Sequence, residues 1–122
     1  MLNYSKDQKI SLNLCLINND GSPEENATIA YKLIDSENNV LLQNSNVVYN
    51  SELGAYVDII NPSTDWTEQE EGNYYIKWEI SGATEDYPNT IIETLQIHNY
   101  NNKLDRLLGL SQENVFIDNA VY

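Results

Sequence analysis

Alternation of apolar and polar residues, repeated in segment after segment between residues 9 and 98, most narrows what this chain can fold into. In Lys9–Ile17 (KISLNLCLI), Ile10, Leu12, Leu14 and Leu16 fall on one side, with Ser11, Asn13 and Cys15 on the other. A period of two describes a strand with one face buried and the other in water. Ala27–Ile34 sets Ile29, Tyr31 and Leu33 against Thr28, Ala30 and Lys32. Asn73–Ile80 sets Tyr74, Ile76, Trp78 and Ile80 against Tyr75, Lys77 and Glu79. Val40–Gln43, Val47–Tyr49, Gly54–Ile60 and Thr90–His98 read as further strands. Between them lie turn-forming stretches: Asn18–Asn26 (NNDGSPEEN), Asp35–Asn39 (DSENN), Asn61-Pro62 and Ser81–Asn89. Six or seven short strands punctuated this way predict an all-β fold. A β-sandwich is the expected form, with an open barrel as the alternative.

Composition bounds the rest. The 122 residues suffice for one domain, and Leu, Ile, Val and Phe supply 32 of them, enough for a packed core. Six basic against nineteen acidic side chains leave a net charge of −13, which repels phosphate backbones and argues against nucleic acid as a partner. One Cys excludes an intrachain disulfide and a multi-Cys zinc site, and one His offers little for a triad. No run of about 18 apolar residues exists, and Met1–Ile10 lacks a signal-peptide core, so no membrane partner is expected. These traits point to a binding or structural module rather than an enzyme.

The grammar changes after His98. Lys103–Leu110 (KLDRLLGL) places Leu104, Leu107 and Leu108 at helical spacing, with Asn101 or Asn102 as a cap and Gly109 as a stop. Two turns do not hold as a helix alone in water, so this segment needs a surface to pack on. The expected division is a sandwich over residues 1–98 and a short helix with an extended docking tail over 99–122. Leu104, Leu107, Leu108, Leu110, Val115, Phe116 and Ile117 are the expected partner-binding residues. Folding back on the open end of the sandwich is the competing reading for this stripe. The abrupt apolar finish at Tyr122 leads to the expectation that the chain continues beyond it.

Glu70-Glu71-Gly72-Asn73-Tyr74 has the spacing acidic–x–Gly–x–Tyr just ahead of the penultimate strand. This resembles the tyrosine corner of immunoglobulin-like sandwiches, in which the phenol bonds back to upstream backbone. Ile76 stands where antibody-type domains carry their second disulfide Cys, so the resemblance is to the cysteine-free group. Gly72 and Tyr74 are the structural residues this implies, and Trp78, flanked on its strand face by Ile76 and Ile80, is the expected core residue beside them. Asp20-Gly21-Ser22-Pro23, Ala27–Asp35 and Glu71–Tyr75 together look like Ig-like modules of bacterial surface proteins and tailed-bacteriophage virion proteins. Leu104–Tyr122 resembles a stretch that follows such a module in small phage structural proteins. The resemblance implies a non-enzymatic neck, tail or capsid-surface component, assembled in the host cytoplasm into a virion with other virion proteins. The alternative is an adhesion or carbohydrate-binding Ig-like module of a bacterial surface protein.

Three constellations invite chemistry. Cys15 and His98 would make a nucleophile and base, but no acid orients the imidazole and no Gly-rich turn offers an oxyanion hole. No catalytic residue is therefore assigned. Asp20 with Glu24 and Glu25, and Asp65 with Glu68, Glu70 and Glu71, are candidate Ca²⁺ ligands without EF-hand spacing. Solvated acidic turns are the expected reading, so no metal and no cofactor is assigned. Trp66, Tyr56, Tyr75 and Tyr87 are candidates for a glycan-stacking platform, weighed against the ordinary preference of Tyr for strands.

Overall fold

The computed structural model describes residues 1–99. Eight strands account for its regular structure: β1 (Leu2–Ser5), β2 (Ile10–Leu14), β3 (Thr28–Ile34), β4 (Val40–Asn44), β5 (Val48–Asn50), β6 (Ala55–Ile60), β7 (Gly72–Ser81) and β8 (Thr90–His98). The larger sheet runs β1-β8-β7-β3-β4 and the smaller β2-β6-β5. Neighbours are antiparallel except β1, which lies parallel to β8. No helix occurs among the described residues. The helix and tail expected over 99–122, with their seven apolar docking residues, lie beyond them apart from Asn99.

Alternation along the strands becomes the two inner faces. Ile10, Leu12 and Leu14 of β2, with Tyr56 and Ile60 of β6, meet Ile29, Tyr31 and Leu33 of β3, Tyr74, Ile76, Trp78 and Ile80 of β7, and Leu95 and Ile97 of β8 in one core. This is a β-sandwich. Burial of each such side chain is worth about 1.5–3 kcal/mol, so the shared core is the main term holding the sheets together. Trp78 sits at its centre, fully buried, with the ring of Tyr31 edge-on at 5.5 Å. A buried indole N–H needs an acceptor. It finds one in Glu93 of β8, at 2.7 Å.

The structure has one strand more than the six or seven expected. β1 escaped detection because its four residues, LNYS, are too few to establish a period, and their burial in the fold does not alternate; its pairing comes from β8. Two ring assignments are also corrected. Tyr56 is buried, not on a polar face. Asp58 shares its side of β6 and gave that side a polar look. Yet Asp58 points between the sheets, where its carboxylate accepts the Tyr31 hydroxyl at 2.6 Å and the Asn44 amide at 3.1 Å. Trp66 is buried as well, despite its acidic neighbours. The Asp65 carboxylate accepts from the Asn61 N–H at 2.8 Å, and Asp65 N–H returns a bond to the Asn61 carbonyl. That turn swings Trp66 across the end of the core onto Tyr74, edge to face at 4.8 Å.

Candidate functional site

One pole of the sandwich is built by the 35–39 turn and the 61–71 connection. Asp35 organises the first, accepting backbone N–H bonds from Glu37 at 2.9 Å and Asn39 at 2.8 Å while Asn38 takes a φ of +68°. The bonds from Asn39 hold the Asp35 carboxyl below its ordinary value. Gly72 closes the second with a φ of +153°, backbone that a side chain disfavours. Tyr74 follows, its ring buried and its hydroxyl donating to the Glu70 carbonyl at 2.8 Å. Burial pushes that phenol's pKa up.

Between these loops opens a cleft of about 600 Å³. Asp35, Glu37, Asp65, Glu68, Glu70 and Glu71 contribute to its walls, with Leu41 and Trp66 among its apolar residues. Asp65, Glu68, Glu70 and Glu71 thus share one concave surface, but no group of three His, Cys, Asp or Glu side chains among the described residues is arranged to hold a metal ion.

The other acidic candidates do not converge. The Glu24 carboxylate is buried and accepts from the Thr84 N–H at 2.6 Å and the Thr84 hydroxyl at 2.9 Å. The backbone bond keeps Glu24 below the usual glutamate range. Asp20 instead accepts from Ser22 within its own turn. Around Glu24, Asn19 donates to Glu85 and Tyr87 donates to Asn18. Residues 18–24 and 84–87 are therefore clasped together at the pole opposite the cleft, a structural use of acidic side chains.

Cys15 lies just past the end of a strand of the smaller sheet, and His98 ends a strand of the larger. Cys15 follows β2 and donates its thiol to the Gly54 carbonyl at 3.4 Å. His98 ends β8, its Nε2 3.1 Å from Asn3 Oδ1. Burial of Trp66 and Tyr56 also removes two of the four rings considered for a glycan platform; Tyr75 remains exposed and Tyr87 is half-buried.

The outer side of the larger sheet holds what sequence reasoning missed. Lys32 of β3 and Lys77 of β7 are register partners, directly opposite one another. Lys32 reaches Glu79 at 3.3 Å. Tyr75 pairs with Ile34, which pairs in turn with Val40, and Lys77 pairs with Ile92. The scarcity of lysine was visible in the composition, but register was not. No known protein family, curated protein or solved structure matches the chain.

Proposed function

We propose that this chain is a non-enzymatic immunoglobulin-like assembly module of a tailed-bacteriophage virion, a spacer or decoration attached through residues 99–122. Strand order carries the fold part of the reading. Set against an immunoglobulin variable-type domain, β2, β6 and β5 correspond to strands B, E and D of one sheet, and β3, β7 and β8 to C, F and G of the other. β4 then takes the C′ position beside C. The Tyr74–Glu70 bond lies at the E–F corner, where the tyrosine corner belongs, and Ile76 in the core replaces the cysteine.

A passive role is supported by how the reactive side chains are engaged. The thiol follows a strand of one sheet and the imidazole ends a strand of the other, bonded to Gly54 and Asn3 respectively, and Glu24 is committed to a backbone clasp. Attachment follows from the seven apolar residues between Leu104 and Ile117, a share of apolar surface that soluble chains rarely leave open to water. Purified particles tested for the full chain and for a version ending at His98 decide the matter. The full chain should be incorporated, and the truncated one should stay folded in the unassembled fraction. Normal incorporation without residues 99–122, or no incorporation of the full chain, would overturn the proposal.

A further inference from the structure

Like charges placed directly opposite in a sheet destabilise it, yet Lys32 and Lys77 are paired in this way on the adjacent interior strands β3 and β7. They are two of only six basic residues in a chain of net charge −13. Glu79 neutralises Lys32, whereas no ion pair involving Lys77 is formed among the described residues. Lys77 is half-buried, flanked by Ile92, which is 62% exposed, and by the exposed ring of Tyr75 on its own strand. An ammonium with no ion-pair partner among the described residues, set amid exposed apolar groups at the centre of a sheet face in an acidic chain, is the local chemistry of a contact with carboxylates. Those carboxylates exist on the same molecule, at the cleft pole, where Glu70 and Glu71 reach neither lysine.

We infer that the outer face of β7 and β8 around Lys77 docks the acidic cleft pole of a second copy of this chain. The two surfaces differ, so the contact is head-to-tail, and it builds a ring or an open filament according to whether its rotation closes. Net repulsion between copies does not forbid this. At about 0.15 M salt the screening length is about 8 Å, so distant charges fade while ion pairs at the contact persist. Tyr75 and Ile92 supply the apolar centre around which the charged pairs form a rim. The inference is independent of the virion reading, because self-association is measured on the isolated chain and incorporation in particles.

Sedimentation of the full chain at physiological salt, from micromolar to millimolar concentration, tests it. The chain should associate with rising concentration, and Lys77→Glu should weaken association at least about tenfold. A Glu70→Lys, Glu71→Lys double variant should weaken it similarly. An equimolar mixture of the two variants should regain association, since reversed charges then meet across the contact. Circular dichroism checks that each variant keeps its sheet. A chain that stays monomeric throughout, association indifferent to Lys77→Glu, or a mixture that fails to regain it would each overturn the inference. Association lost instead in Ile59→Lys would place the contact on the smaller sheet and overturn it equally.

Discussion

The hydroxyl of Tyr4 meets both backbone polar groups of Ser11, donating to its carbonyl and accepting from its N–H, each at 3.3 Å. Ser11 lies on β2, an edge of the smaller sheet, while Tyr4 belongs to β1 on an edge of the larger. One phenol therefore ties the two sheets and covers a place where a foreign strand would pair. Exposed edges invite such pairing, and β2 (ISLNL) has no proline, charge or bulge to discourage it.

Tyr4→Phe should leave the fold intact and uncover this edge. Net hydrogen-bond contributions of about 0.5–1.5 kcal/mol translate into a roughly two- to tenfold faster exchange of the Ser11 amide proton. Hydrogen exchange followed by NMR reads this directly. Thioflavin binding on prolonged incubation should rise in the variant.

Trp78→Ala should cost about 3–5 kcal/mol, because it empties the centre of the core and strands the Glu93 carboxylate that accepted its N–H. Urea unfolding checks it. A cost under about 1 kcal/mol would contradict the central position of the ring.

Tyr74→Phe removes only the bond to the Glu70 carbonyl and should cost about 0.5–1.5 kcal/mol. Tyr74→Ala should cost more, since Trp66 loses the ring it packs on. The two unfolding midpoints, compared with wild type, separate the corner hydrogen bond from the aromatic packing.

Acid should loosen the pole held by Glu24. Its carboxyl pKa is lowered in the folded state, chiefly by the Thr84 N–H, so its contribution is present above the unfolded value and lost as pH falls through the folded one. Glu24→Gln should melt below wild type at neutral pH. The gap should narrow as pH falls through about 4.3, where an unperturbed glutamate is half protonated, and close once pH passes below the lowered folded value. Thermal melts of both proteins across that range provide the measurement.

Cys15→Ser and His98→Gln should leave folding and any assembly readout unchanged, because Cys15 is exposed and the contacts of the two side chains with Gly54 and Asn3, at 3.4 Å and 3.1 Å, lie outside the core. Loss of assembly in either variant with the fold preserved would assign that residue a role beyond packing.

Local chemistry determined much of this protein in advance. Alternation in β2, β3 and β7 follows from the geometry of a pleated strand, so the inward residues from Ile10 to Ile80 were legible without knowing which strands pair. The 35–39 turn was legible because Asn and Asp accept positive φ, as Asn38 does. The Gly72–Tyr74 spacing flagged a phenol bonded back to upstream backbone, since that bond spans only four residues. Tertiary structure decided the remainder, where the local signal was too short or too ambiguous to read. β1 is a strand because β8 offers it an edge, and Trp66 is buried because a turn carries it over Tyr74. Asp58 points inward because the Tyr31 hydroxyl, from the opposite sheet, supplies its hydrogen bond. Lys32 faces Lys77 only once register is set, and register depends on how whole strands bury their apolar sides together rather than on any residue's own preference.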